Sequence, residues 1–265
     1  MRQKTPISYY GGKQSMLKEI LPLIPEHKTY IEPFFGGGAV FWAKEPSECE
    51  IINDVNGNIV NFYEVLKHDF FRLREKIEQT LHSRDTYKKA MVVYDLPWLF
   101  QEDRTIRAWA FWVVTNQGFA SKIGSWGYDR SGRSAKTLGR RVEAFKEELT
   151  DRLRNTQIEN NKAHHVIKSR DTEESFVYAD PPYIDTNQGH YGGYTKEHFI
   201  EDLNALCSMK GKFLLSSYPS DILDGYIRKH GWHTRRVTKM LSASNGAKSV
   251  RGKKKIEVLT ANYEI

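Results

Sequence analysis

Across residues 1–65 the apolar positions switch between a strand period and a helix period. Residues 15–23 read as a short amphipathic helix, and Tyr30-Ile31 as a strand running into a Gly-rich turn at Gly36-Gly37-Gly38. Residues 39–44 start a helix, Cys49–Asn53 is a second strand, and residues 59–67 are helical again, with Ile59, Phe62, Tyr63 and Leu66 at helical spacing. From residue 69 to 155 the pattern changes. Helical periods at 70–82, 105–115 and 142–154 are separated by a Gly/Ser/Arg-rich stretch at 118–139, with no strongly apolar strand among them. Strands return at Ser175–Ala179 and at residues 213–217 and 257–263. This order predicts an α/β sheet domain made of residues 1–65 and 160–265, with a mainly helical module inserted over residues 66–159. A chain of 265 residues can hold one large core with such an insert.

Composition narrows the class. With 39% hydrophobic and 12% aromatic residues the chain can build a core, so disorder is not expected. No apolar run approaches the ~20 residues of a membrane span. The opening Met1-Arg2-Gln3-Lys4 leads into no signal-peptide core, so a soluble, cytoplasmic chain is expected. Cys49 and Cys207 are the only cysteines, and no Cys/His cluster has metal-ligand spacing; neither a disulfide framework nor a metal site is expected. The net charge of +7 matters less than its placement. No Asp or Glu occurs from residue 225 to 256, a stretch that includes Arg228, Arg235, Arg236, Lys253, Lys254 and Lys255. A second basic cluster, Lys122, Arg130, Arg133, Lys136, Arg140 and Arg141, is offset only by Asp129 and interleaved with Trp126 and Tyr128. Such charge suits a polyanion, but it also solubilises a surface and does not alone establish nucleic-acid binding.

Three motifs carry chemistry. Asp180-Pro181-Pro182-Tyr183 directly follows an apolar strand. Consecutive prolines end sheet pairing, but that does not account for an acid and an aromatic at a strand's carboxyl end, where α/β folds place ligands. The tetrapeptide resembles the catalytic motif of amino-group DNA methyltransferases, and the resemblance implies reaction at an aromatic amine, whose lone pair is delocalised into its ring. Two acceptors gripping both amine hydrogens localise that pair and take up developing positive charge. The Asp180 carboxylate and the Pro181 carbonyl form such a pair, and the double proline stiffens the loop that aims them. Tyr183 offers a face on which an extruded base can stack. The second motif, Glu32-Pro33-Phe34-Phe35-Gly36-Gly37-Gly38, is weak evidence alone. It gains weight from Asp54 after the next strand, where an acid accepts hydrogen bonds from ribose hydroxyls in dinucleotide folds. No Gly-Lys-Ser/Thr ending follows, so ATP is disfavoured, and one of Phe34 and Phe35 is expected to be core. The third, Tyr9-Tyr10-Gly11-Gly12-Lys13, also reads as a plain tight turn.

Gly-Gly-Lys after an aromatic, then Glu-Pro-Phe-x-Gly-x-Gly, then Asp-Pro-Pro-Tyr after a long insert resembles the Dam-type N6-adenine DNA methyltransferases of alpha-group motif order. In that family the target-recognition domain lies between the cofactor and catalytic motifs. The resemblance spans nearly the whole chain, including residues 213–218 and 255–263, and is specific in the core motifs and weak in the insert. It implies an S-adenosylmethionine-dependent methyltransferase (Rossmann-like) fold with a seven-stranded, mostly parallel sheet. It also implies transfer of a methyl group from S-adenosyl-L-methionine to N6 of an adenine flipped out of double-stranded DNA.

Position by position, the resemblance implies that Tyr9, Lys13, Phe35, Gly36, Gly38, Asp54 and Asp180 contact the cofactor. Asp180, Pro181, Pro182 and Tyr183 would act on the base. DNA contacts are expected from Lys122, Trp126, Tyr128, Arg130 and Arg133, around a hairpin turn at residues 129–132, and from Lys253, Lys254 and Lys255 on phosphate. Lys162 stands where many relatives have an Asp. The insert lacks the Arg-x-Asn start and Phe-Asn-x-Pro-x-Gly end of GATC-reading relatives, so that target is not carried over. The alternatives are cytosine-N4 methylation, which usually shows Ser in place of the motif Asp, and a non-catalytic DNA-binding protein derived from a methylase. A monomer with a cognate restriction endonuclease as partner is expected.

Overall fold

The structure is a computed structural model in which the described residues are 4–184, 193–240 and 254–265. β1 (Thr29–Glu32), β2 (Cys49–Asn53), β3 (Thr156–Glu159), β4 (Ser175–Ala179), β5 (Lys212–Ser217), β6 (His233–Met240) and β7 (Lys254–Ala261) form a seven-stranded sheet in the order β3-β2-β1-β4-β5-β7-β6. β1 runs parallel to β2 and β4, and β4 to β5, while β7 is antiparallel to both β5 and β6. The expected seven-stranded, mostly parallel α/β sheet is present. The helices are α1 (Leu17–Ile20), α2 (Ala39–Ala43), α3 (Gly57–His68), α4 (Phe70–Glu78), α5 (Arg84–Asp95), α6 (Arg104–Gln117), α7 (Arg133–Ala144), α8 (Glu148–Leu153), α9 (Ala163–Arg170), α10 (Lys196–Cys207) and α11 (Asp221–His230). By internal contacts the chain divides into two compact units, residues 1–17, 35–46 and 54–160, and residues 18–34, 47–53 and 161–265.

In the second unit β4 is buried along its whole length, as a central parallel strand must be when both faces are covered. Val177 and Ala179 face a core shared with Ile31, Ile51, Phe213, Leu215 and the inward sides of α9, α10 and α11. On alternate positions Phe176 packs against Tyr30 and His27, with ring centroids 6.1 and 5.3 Å away. In the first unit α6 is the central helix. Ala108, Ala110, Phe111, Trp112, Val113 and Val114 are all buried, so apolar positions run around the helix and not along one stripe. Asp103 caps it, accepting from the Ile106 N–H at 2.8 Å.

The structure departs from the sequence reading in the insert. The single helix expected over 142–154 is two, α7 and α8, with the break at Phe145. Phe145 is 1% exposed and stacks on Phe70 with centroids 5.6 Å apart, so tertiary burial overrides a continuous helical period that contains no Gly or Pro. α5 was not legible because its buried positions, Tyr87, Ala90 and Val93, form only a thin apolar line among charged residues. The hairpin turn expected at 129–132 is instead the lead-in to α7, which begins at Arg133. Residues 15–23 form a broken series, two short 3-10 turns flanking α1, with Pro22 inside the second. Among the described residues no helix is long and apolar enough to cross a membrane.

One side chain of the second unit locks the exits of two strands. Asn53 is 2% exposed and closes β2. Its Nδ2 donates to the Pro33 and Asn161 carbonyls at 2.9 and 3.0 Å, and its Oδ1 accepts from the Asn161 N–H at 2.9 Å. Replacing it leaves buried backbone groups without partners. Asn53→Ala is therefore expected to lose about 2–3 kcal/mol of stability, measurable as a lower urea midpoint at unchanged slope.

Candidate active site

The register aligns the carboxyl ends of the central strands. Ile31 sits beside Val177, and Val177 beside Phe213, so Glu32, Asp180 and the residues after Leu215 emerge along one edge of the sheet. The strand order reverses between β1 and β4, the position at which open parallel sheets bind ligands. At the β1 exit Glu32 is buried and accepts from the Tyr30 hydroxyl at 2.6 Å. At the β4 exit the chain enters the Pro-Pro turn with Pro181 buried and Asp180 and Tyr183 half-buried. The Tyr183 hydroxyl donates to Asp180 Oδ1 at 3.3 Å and lies 3.2 Å from Ser216 Oγ. Burial, and next the Asp180 carboxylate beside it, holds the Tyr183 hydroxyl far above the ordinary phenol range, so it stays protonated and remains a donor. Its ring meets that of Tyr218 with centroids 4.1 Å apart.

Ser216 and Tyr218 belong to this group although the sequence reading did not single them out. Their signal was present in the apolar run Phe213-Leu214-Leu215, which turns to hydroxyl residues and an aromatic at its carboxyl end. Phe34 packs edge-on to Tyr194, whose hydroxyl donates to the buried Asp202 at 2.7 Å. Burial pushes the Asp202 carboxyl up to about 6. Lys162 is exposed at the N-cap of α9 without a side-chain capping bond.

The first unit holds the Tyr9-to-Lys13 motif and the Phe35-to-Gly38 part of the Gly-rich one. Asp54 is 3% exposed; its Oδ2 accepts from the Gly36 N–H and its Oδ1 from the Asn56 N–H, both at 2.9 Å. The Gly-rich turn is left-handed at Gly36 (φ 48°) and Gly38 (φ 62°). A Cβ on Gly38 would meet the Phe35 ring at 2.4 Å, so this glycine is required by the protein's own packing. Phe35 is the core member of the Phe34-Phe35 pair, 3% exposed and edge-on to Tyr63 and Phe41. Tyr63 in turn donates to the Gly36 carbonyl at 3.2 Å. Tyr9 packs on the turn, 3.0 Å from where a Gly37 Cβ would stand, and the buried Lys13 donates to the Gly11 carbonyl at 3.3 Å.

The residues expected on DNA fall in several local settings. The turn before Lys122 passes through left-handed backbone at Ala120 and Ser121, a conformation that costs an L-residue about 1–2 kcal/mol. Lys122 Nζ lies 4.8 Å from the Tyr10 ring centroid. Trp126 and Tyr128 stack at 5.5 Å, with the Arg84 guanidinium over both rings and His82 against Trp126. Asp129 accepts from the Ser131, Arg133 and Ser134 N–H groups and from both serine hydroxyls, at 2.6–3.0 Å, which holds its carboxyl well below the usual range. Arg130 and Arg133 are exposed. Lys253 lies outside the described residues, and Lys254 and Lys255 open β7.

The family model described as D12 class N6 adenine-specific DNA methyltransferase matches residues 9–241. A protein of Lactococcus lactis subsp. cremoris, "Type II methyltransferase M1.LlaDCHI", is 26% identical and aligns over 96% of this chain and 93% of its own. "Type II methyltransferase M.MjaIII" of Methanocaldococcus jannaschii is 29% identical over 76% of this chain and 77% of its own. A "DNA adenine methylase" of Vibrio cholerae is 23% identical over 89% of this chain and 85% of its own.

The buried Asp54 makes a specific pH signature. Burial pushes its carboxyl up from the ordinary 3.8 to about 6, and the Asn56 and Gly36 amides only partly offset this. Below about pH 4 it is protonated in both folded and unfolded chains and contributes nothing. Between about pH 4 and 6 the folded chain keeps a proton that the unfolded chain releases, so stability falls as pH rises. Above about pH 6 the full cost remains, on the order of 3 kcal/mol at 1.36 kcal/mol per unit. Asp54→Asn is expected to lack this component. Urea unfolding of both proteins at about pH 4 and 7 checks it: equal pH slopes would show that no charge is buried at this position.

Proposed function

The chain belongs to the D12 class N6 adenine-specific DNA methyltransferases, and from that premise we propose that S-adenosylmethionine is its methyl donor, with the target adenine extruded from duplex DNA onto Asp180, Pro181, Pro182 and Tyr183. The observation that carries the residue assignment is the Asp180 carboxylate at the carboxyl end of β4, oriented by the Tyr183 hydroxyl, itself 3.2 Å from Ser216 Oγ.

In this reading Asp180 and the Pro181 carbonyl each accept one N6 hydrogen. The amine lone pair is thereby localised on nitrogen and freed to attack, and the positive charge that grows on nitrogen is met by the carboxylate. The excess proton leaves to Asp180 or to water. Tyr183 supplies a ring on which the base stacks, and its hydroxyl keeps the Asp180 oxygen aimed. S-adenosylmethionine, when bound, supplies the methyl group from a positively charged sulfur.

The donor set of the first unit suits that molecule. Asp54 is an acceptor for ribose hydroxyls, since each carboxylate oxygen has a further lone pair beyond the backbone N–H it already takes. Gly36 and Gly38 keep the turn bare, Phe35 supports it from beneath, and Tyr9 and Lys13 flank it. Residues 66–159 serve as the target-recognition domain, with Lys122, Trp126, Tyr128, Arg130 and Arg133 toward the duplex and Lys253, Lys254 and Lys255 on phosphate.

Cytosine-N4 transfer and a non-catalytic DNA-binding role are disfavoured by the adenine-specific family match. The proposal includes a cognate restriction endonuclease as partner and a monomeric, cytoplasmic enzyme; the relatives named Type II methyltransferases are in keeping with the first.

Asp180→Ala is expected to lower transfer of tritium-labelled methyl to mixed-sequence DNA at least 10²–10³-fold, the effect of losing a preorganised acceptor worth about 3–4 kcal/mol. Duplex binding should change much less, and near-wild-type turnover would overturn the assignment. Tyr183→Phe keeps the ring and removes the hydroxyl's contacts with Asp180 and Ser216. It should lower turnover roughly tenfold or more, as for a hydrogen bond to a charged group, with little change in the KM for DNA.

A further inference from the structure

The basic segment of the insert is helical over its second half, and that changes which residues can read a sequence. We propose that α7 is the reading element of this enzyme, lying in the major groove of the target duplex and presenting Arg133, Lys136 and Arg140 to base edges. The inference rests on duplex DNA being the substrate, and it adds two residues not otherwise assigned.

The phase of the helix separates two faces. Leu138 is buried, and Ser134, Arg141 and Val142 are half-buried on the same side. Arg133, Lys136 and Arg140 are exposed at i, i+3 and i+7, which stacks them along the opposite face. From Arg133 to Arg140 the helix rises about 10 Å, roughly three base-pair steps of ~3.4 Å. The major groove, ~12 Å wide, admits an α-helix, and arginine and lysine donors match the O6 and N7 acceptors of guanine there. The exposed charge of α7 is basic except at Glu143, which lies three residues beyond Arg140 on the same face. Glu143 near the C-terminal end is the sole acid within α7, and the Asp129 carboxylate is taken up by donors at the helix start. Asp129 thus fixes where the helix begins, so the three basic side chains stand on a rigid element with their spacing set before DNA arrives. A Cβ at Gly139, on the flank of this face, would meet nothing in the protein, so internal packing gives no reason for a helix-weakening glycine; close approach of a sugar-phosphate backbone does. Trp126 and Tyr128 are instead held together in one column under Arg84, which suits a platform beside the helix.

The test uses the full chain and its Arg133→Ala, Lys136→Ala and Arg140→Ala variants. Each selects duplexes from a randomised library by competition binding, and plasmid DNA from hosts expressing each is mapped for N6-methyladenine. In the expected result each variant relaxes one or two adjacent positions of the wild-type motif, with discrimination there falling roughly ten- to hundredfold. Arg140→Lys, which keeps the charge and loses the planar fork, should relax the same position with little loss of overall affinity. Uniform weakening of all sequences by the alanine variants overturns the inference, because it marks the three side chains as phosphate contacts. An unchanged motif in all three, with relaxation in Trp126→Ala or Tyr128→Ala, also overturns it, as does a wild-type chain that selects no motif. Failure of the underlying reading looks different. A wild-type chain that selects a motif but leaves no methyl mark lacks transfer activity, and α7 is still judged on the selected motif.

Discussion

A carboxylate buried at Asp54 organises the Gly-rich turn of the first unit. Burying a charge is costly unless its lone pairs are met, and here the partners are the backbone amides of Gly36 and Asn56. The demand runs both ways. To deliver its N–H to the carboxylate the turn adopts left-handed backbone at Gly36, and two residues on it does so again at Gly38, where the Phe35 ring leaves no room for a Cβ. Phe35, Tyr63 and Phe41 then fill the space beneath, and the Tyr63 hydroxyl takes the Gly36 carbonyl. The glycines of this turn therefore answer first to the protein's own packing.

The second unit meets the same problem at a strand end by other means. Two prolines cannot donate hydrogen bonds, so nothing in the Pro-Pro turn competes for the Asp180 carboxylate through a backbone N–H at those positions. The Tyr183 hydroxyl does the aiming, with Ser216 Oγ beside it and the Tyr218 ring against its own. A phenol kept protonated by burial is a dependable donor. The arrangement divides labour between neighbouring strands: β4 leads into the Asp180 carboxylate, and β5 and its exit supply the groups that hold its orienting tyrosine.

In the proposed reading, specificity belongs to a different kind of structure. The insert is an aromatic-rich helical unit around α6, and its core residues say nothing about a DNA sequence. What distinguishes it is the surface around Trp126 and α7, where cations stand on rings and on an exposed face of a helix whose first amides are held by Asp129. Affinity for phosphate needs only charge, whereas discrimination among bases needs charge at fixed spacing. The helix supplies the spacing.

The strands β1, β2, β4 and β5 were legible in the sequence, because a central parallel strand is apolar on both faces and short, and each is followed at once by a turn or side-chain signal: Pro33, Asp54, Asp180, Tyr218. The reaction class was legible too, because Asp-Pro-Pro-Tyr and the Gly-rich turn are contiguous motifs whose residues act where they stand. Tertiary structure alone decided the rest. Phe145 breaks a helix that local period would continue, because stacking on Phe70 buries its ring. Asp129 to Gly132 reads as a hairpin turn by composition, yet the donors that reach Asp129 come from the residues after it, and they start a helix instead. Tyr218 reaches Tyr183, and Lys122 reaches Tyr10, across long sequence separations that no local pattern encodes. Local propensity and short motifs are written in neighbouring residues; partners distant in the chain are chosen by which surfaces the folded core brings within a few ångströms of each other.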